Sequence, residues 1–220
     1  MKGDDTRWWD ESWNPVVGCS AVSEGCARCY AQGMAVRFGF PWGGPRFMPE
    51  RLERPLRRRK PTRYFLGSMT DLFQDGVERE WLDAVLDVVG RCPRHTFMAL
   101  TKRPERMMRI FWGERLPDNL WLGVTAENQR RANERVYALL QTPARVRFVS
   151  VEPMLEPVFI GASWLAELEW VIAGPETGPG ARECRAEWVE ALAAECASSG
   201  VPFFDKRRTG WIRRECPAVR

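Results

Sequence analysis

Cys19, Cys26 and Cys29 fall within eleven residues of one another, in the segment WNPVVGCSAVSEGCARCY, with the spacing C-x6-C-x2-C. Thiolates are the ligands of iron–sulfur clusters and of zinc, and a short loop can aim several at one centre. Cys26 and Cys29 make the close pair that a metal knuckle needs, and Cys19 can fold back towards them across Gly18 and Gly25. A closed structural zinc site wants four ligands. No second C-x2-C and no histidine pair occurs, and the one histidine, His95, begins a strand far along the chain. Three ligands leave a coordination position open, which suits catalysis better than a purely structural role. The loop therefore reads first as a [4Fe–4S] site. A zinc site closed by a distant cysteine, in a non-catalytic nucleic-acid-binding protein, is the second reading; ordinary free thiols are the third.

The elements around this loop must place it. With 220 residues the chain fits one domain, residues 1–220, large enough to bury a substantial core. No apolar run approaches the roughly 20 residues needed to span a bilayer, and the opening MKGDDTRWWDE has no apolar signal stretch. A cytoplasmic protein with no membrane partner is expected. A reducing compartment makes disulfides among the seven cysteines improbable and turns attention to metal binding. Cys92 and Cys196 fall on apolar helix faces and read as core, while Cys216 lies in the tail. Net charge is +4, a balance that permits nucleic-acid contact without demanding it. The densest basic stretch, RLERPLRRRKPTR at residues 51–63, reads either as a solvated loop or as a phosphate-contacting surface. Of eleven tryptophans, Trp81, Trp121, Trp170 and Trp188 sit where a helix or strand would bury them.

From residue 62 onward short apolar runs alternate with amphipathic ones. Strands are expected at residues 64–67, 95–100, 120–124, 146–151, 169–173 and 201–204, and a short one near 13–17. Helices are expected at 77–92, 104–111, 128–140 and 186–197, with another beginning near Ala27. Continuous apolar strands separated by helices argue for a parallel sheet. The expected fold is α/β: a partial or nearly closed (β/α) barrel of six to seven parallel strands, with a doubly wound open sheet as runner-up. Either architecture puts its chemistry at the carboxyl ends of the strands, and the cysteine loop follows the first strand. Residues 38–62, rich in Gly, Pro and Arg, read as an inserted lid or binding loop.

Polar residues stand at the other strand ends: Ser68, Thr70 and Asp71; Thr101, Lys102 and Arg103; Thr125, Glu127 and Asn128; Ser150 and Glu152; Glu176 and Arg182; and Asp205-Lys206. Helix capping accounts for any one of them. Their common position in register with the cysteine loop points to a shared site. Neither a G-x-G-x-x-G fingerprint nor a G-x-x-x-x-G-K-S/T phosphate loop occurs, which disfavours dinucleotide redox and nucleotide hydrolysis.

Three clustered cysteines after the first strand of such a barrel resemble the radical S-adenosylmethionine superfamily. More closely, WNPVVGCSAVSEGCARCYA, FLGSMTDLF, LTKRPERM, NLWLGVTAENQ, RFVSVEPML and WVIAGPETGPGAR resemble a family of phage and prophage proteins with a three-cysteine motif. The blocks run from about residue 13 to 206. The C-x6-C-x2-C spacing departs from the superfamily's usual C-x3-C-x2-C by three residues. The resemblance implies a radical-enzyme barrel in which Cys19, Cys26 and Cys29 bind a [4Fe–4S] cluster whose open iron chelates S-adenosylmethionine. One-electron cleavage of the sulfonium would give a 5′-deoxyadenosyl radical that abstracts hydrogen from substrate, with flavodoxin or ferredoxin as the class of electron donor. It leans towards DNA or a nucleobase as substrate, for modification or lyase-type repair. Asp71, Glu127 or Glu152 would take the cofactor's amine or ribose hydroxyls, and Lys102 or Arg182 its carboxylate. Ser68, Thr70, Thr125, Asn128 and Glu176 complete the expected cofactor contacts. Lys102 and Cys184 are the catalytic candidates, Cys184 as fourth ligand or thiyl donor.

Overall fold

The computed structural model describes residues 7–40, 42–207 and 217; Cys216 lies outside them. Strand β1 (Glu11–Trp13) is followed by β2 (Val16–Val17), α1 (Tyr30–Arg37), β3 (Arg46–Phe47) and α2 (Glu53–Arg57). The regular alternation then begins with β4 (Arg63–Leu66), α3 (Arg79–Arg91), β5 (Thr96–Thr101) and α4 (Pro104–Phe111). It continues through β6 (Leu120–Thr125), α5 (Gln129–Leu140), β7 (Val146–Val151), α6 (Ala162–Leu165), β8 (Trp170–Ala173), α7 (Ala186–Ser198) and β9 (Phe203–Asp205).

Local chemistry sets these boundaries. Pro104 opens α4, where its missing N–H is no loss. Asn128 caps α5 by accepting from the Arg131 N–H at 2.9 Å. Strand β6, LWLGVT, is buried at every position, as a central parallel strand should be.

Seven strands form one parallel sheet in the order β1-β4-β5-β6-β7-β8-β9. The order follows the chain without the reversal that a doubly wound sheet requires. The sheet is a curled, open half-barrel, and the runner-up architecture is set aside. Alternation along the strands divides the core in two. Tyr64, Phe97, Leu122, Val149 and Val171 pack with Val85, Val89, Val136, Leu139 and Leu192 of the helices. Phe65, Met98, Trp121, Phe148, Trp170 and Phe204 face the other way, where Trp8 joins them. The indole N–H groups of Trp8, Trp121 and Trp170 are buried and have no hydrogen-bond partner among the described residues. The same rings make edge-to-face contacts: Trp8 and Trp121 lie 5.9 and 6.3 Å from Trp170 at interplanar angles of 89° and 86°. Trp121 and Trp170 are core, as expected, while Trp81 and Trp188 are only partly buried.

Three expectations are modified. The first strand is two pieces: β1 joins the main sheet, whereas β2 pairs antiparallel with β3 after the turn at Asn14-Pro15. The helix expected near Ala27 begins at Tyr30, with a single 3-10 turn over Glu24–Cys26 before it. The insert carries β3 and α2, and its basic run is tied down internally. Arg54 and Arg58 pair with Glu11, Arg57 with Glu53 and Arg63 with Asp10. Arg51 donates to the Asn14 carbonyl at 3.2 Å. Arg51, Arg54 and Arg58 thereby fasten the insert to β1 and the turn after it.

Candidate functional site

The cysteine loop lies across the carboxyl end of the sheet, and each of its parts is held from a different strand end. Gly18 pairs with Thr70 in a parallel bridge. Its N–H donates to the Met69 carbonyl at 3.1 Å, and its own carbonyl accepts from Thr70 Oγ1 and Gln74 Nε2, each at 2.6 Å. Gln74 Oε1 accepts from the Ser20 N–H at 3.1 Å. Gly18 has φ +88°, and a Cβ there would stand 2.5 Å from the Gly44 carbonyl oxygen. Only glycine fits both demands. Cys19 is thus fixed between the end of β4 and the insert.

Asp71 and Arg103 form the next support. Asp71 accepts from Thr101 Oγ1 at 2.7 Å, from the Lys102 N–H at 3.0 Å and from Arg103 Nη1 at 3.0 Å. Arg103 Nη2 reaches the carbonyl and hydroxyl oxygens of Ser20 at 2.9 and 2.8 Å. Burial, then the Asp71 charge, push the Cys19 thiol pKa up; Arg103 opposes them, and Cys26 adds a smaller push upward.

Farther along the loop, Gly25 donates to Glu127 Oε1 at 3.3 Å, and a Cβ there would come within 3.0 Å of that carboxylate. Glu127 is fully buried, and its other oxygen accepts from Arg135 Nη1 at 2.7 Å. Burial alone would raise its pKa; Arg135, Lys102, Ser23 and its own backbone together bring it below the ordinary value. Arg182 clasps Glu176 through Nε at 2.9 Å and through Nη2, and extends Nη1 to the Glu24 carbonyl at 3.0 Å. Hydrogen bonding from Arg182 holds the Glu176 carboxyl below its ordinary pKa against burial. The Glu24 side chain pairs with Arg131 of α5 at 3.1 Å. Cys29 is the residue before α1, and the Tyr30 hydroxyl donates to the Ser68 carbonyl at 2.7 Å.

The other expected site residues have these places. Ser68 exchanges hydrogen bonds with Asn14 at 3.0 and 3.2 Å. Thr125 is buried on β6, its carbonyl accepting from Arg135 at 2.6 Å. Ser150, its partner in register on β7, is buried, and among the described residues its hydroxyl has no hydrogen-bond partner. Glu152 pairs with Lys206, whose ammonium lies 5.9 Å from the Trp9 ring centroid. Asn128 acts as the α5 cap. Cys184 packs on the helix-side core, and the charges that influence it are Arg207 and Asp205. Among the described residues the Lys102 ammonium makes no hydrogen bond or ion pair, yet it lies close enough to Glu127 to lower that carboxyl. Also among them, no three His, Cys, Asp or Glu side chains converge as ligands of one metal ion. No described helix is long and apolar enough to cross a membrane.

Sequence reasoning missed Gln74, Arg135 and the anchoring role of Arg103. Gln74 stands just past the FLGSMTDLF block, the one available hint. Arg135 carries no signal, because a helical arginine ordinarily reads as a solvated charge.

The family model described as Protein of unknown function (DUF5131) matches residues 4–219. The chain belongs to that family. Among solved structures, this DUF5131 chain is similar to spore photoproduct lyase complexed with dinucleoside spore photoproduct. The TM-score is 0.54 at 11% identity, over 89% of this chain and 75% of that one. A cysteine-to-alanine variant of the same lyase gives a TM-score of 0.59 at 13% identity with the same coverage. At this identity the likeness establishes a shared fold. No curated protein matches the chain.

Proposed function

We propose that this protein is a radical S-adenosylmethionine enzyme whose Cys19, Cys26 and Cys29 hold a [4Fe–4S] cluster, with DNA or a nucleobase as the substrate class. The reading rests above all on one feature: three free, half-exposed cysteines on a single loop that is fastened to several strand ends of an open half-barrel. Three free thiols on one short loop are the donor type that such a cluster takes. The half-barrel shared with spore photoproduct lyase, solved with a dinucleoside photoproduct, supports the substrate class.

When bound, the cluster would supply the electron that cleaves the cofactor's sulfonium. The chain's own residues would bind and orient the cofactor. Lys102, whose ammonium has no ion-pair partner among the described residues and lies beside Glu127, is suited to a carboxylate. Ser68, Thr70, Thr125 and Glu152 are further candidate contacts for amine and ribose. Asp71, Glu127, Glu176 and Arg182 would act mainly through the loop they hold, and Asn128 through the start of α5.

Anaerobic reconstitution with iron and sulfide tests this directly. The expected protein is brown, and with dithionite and S-adenosylmethionine it releases 5′-deoxyadenosine; Cys26→Ala loses both properties. A colourless protein that retains stoichiometric zinc through the same treatment would overturn the reading.

A further inference from the structure

Helix α1, which begins directly after Cys29, inverts the usual helical arrangement. Its buried residues are the small Ala31 and Ala35. Tyr30, Met34 and Phe38, spaced i, i+4 and i+8, lie on the exposed side, and Val36 and Phe40 are exposed too. Phe38 is 57% and Phe40 61% exposed, and their rings lie 6.5 Å apart. Folding alone gives no reason to leave such a patch in water.

The charge of the segment says what it is suited to meet. Between Glu24 and Glu50 the sequence contains no Asp or Glu, yet it contains Arg37 and Arg46 besides Arg28, which pairs with Glu176 at 3.7 Å. The Arg37 guanidinium lies 5.5 Å from the Phe38 ring centroid and, among the described residues, has no carboxylate partner. Exposed rings interleaved with cations, on a segment free of acids, match what an unpaired nucleic-acid strand needs. Rings stack on bases, which offer a π face whatever their identity, and guanidinium groups meet the phosphates. A duplex keeps its base faces stacked and offers nothing to such rings.

We infer that this surface binds single-stranded nucleic acid. Bases stack on Phe38 and Phe40, Arg37 contacts the backbone, and the strand is delivered to the rim of the half-barrel beside Cys29. This deepens the proposed function, on which it rests for the chemistry that follows binding.

Anisotropy of a fluorescein-labelled oligothymidine, measured with the anaerobically reconstituted protein, tests it. Binding is expected to be tighter than to a duplex of equal length and to weaken as salt rises. The double substitution Phe38→Ala/Phe40→Ala should weaken binding by roughly tenfold or more, and Arg37→Glu should weaken it further, with the cluster spectrum and thermal melt unchanged. Absence of saturable binding by the native protein would overturn the inference, as would equal affinity in the double variant. So would a patch that captures only protein. Release of 5′-deoxyadenosine without oligonucleotide is read in parallel. Its loss with binding intact would strike the proposed chemistry alone, and its persistence without binding would strike this surface alone.

Discussion

Glu127 shows how one residue links the core to the site. It is fully buried, its Arg135 partner is 3% exposed, and its free oxygen receives the Gly25 N–H of the cysteine loop. A buried pair of this kind contributes little beyond an apolar replacement, but breaking it leaves an uncompensated charge. Glu127→Gln keeps the shape and removes the charge, so we expect a loss of about 3–5 kcal/mol, read by urea unfolding. Glu127→Gln/Arg135→Met should recover much of that loss. The pH dependence has a definite sign. Glu127 and Glu176 both titrate below their ordinary value of 4.5 in the folded protein. Their contribution is therefore complete above 4.5 and is lost as pH falls through the lower, folded-state values. Unfolding curves between neutral pH and strong acid should show stability falling below that point, with a shallower fall in Glu127→Gln. A flat profile, or an equal fall in the variant, would remove these carboxylates from the account.

At the scale of elements, the ribbon of β2 and β3 and the glycine that ends it decide where Cys19 points. Gly18→Ala imposes both a left-handed backbone on alanine and a clash with the carbonyls of Gly43 and Gly44, at 2.7 and 2.5 Å. The chain must shift, at a cost of about 1–3 kcal/mol. Faster alkylation of Cys19, located by peptide mapping, should accompany a lower melting temperature; unchanged alkylation would show that the ribbon does not hold the thiol. The sequence foretold the regular elements well because parallel strands are continuous apolar runs: 120–124 became Leu120–Thr125, and 146–151 was met in full. It did not foretell the ribbon, whose strands of two residues are too short to show a period. The ion pairs of the basic run were hidden for a related reason. Its arginines fold against Glu11 and Asp10 some forty to fifty positions away, and sequence gives no measure of such distant pairing. The three cysteines were legible because their spacing is local, whereas the supports from Gln74, Arg103 and Arg135 are created only by tertiary contact.

For the molecule as a whole, the sheet and the cysteine loop are energetically one structure. The loop is held from the ends of β4 and β5 through Thr70, Gln74 and Arg103, from β6 through Glu127, and from beyond β8 through Glu176 and Arg182. A group that binds the folded loop and not the unfolded chain must stabilise the entire half-barrel, by mass action. If a cluster ties three points of this loop together, the gain passes through those hydrogen bonds to the sheet. A stabilisation of about 3 kcal/mol in a chain of this size corresponds to roughly 6–12 °C in Tm. Anaerobic differential scanning fluorimetry should therefore show reconstituted protein melting higher than protein stripped by chelator, by about that interval. Cys26→Ala put through the same reconstitution should gain nothing. Glu127→Leu/Arg135→Met, which removes the acceptor for the Gly25 N–H without leaving a buried charge unpaired, should gain less than the native chain. A full gain in that variant would mean that the loop binds its ligand independently of the sheet.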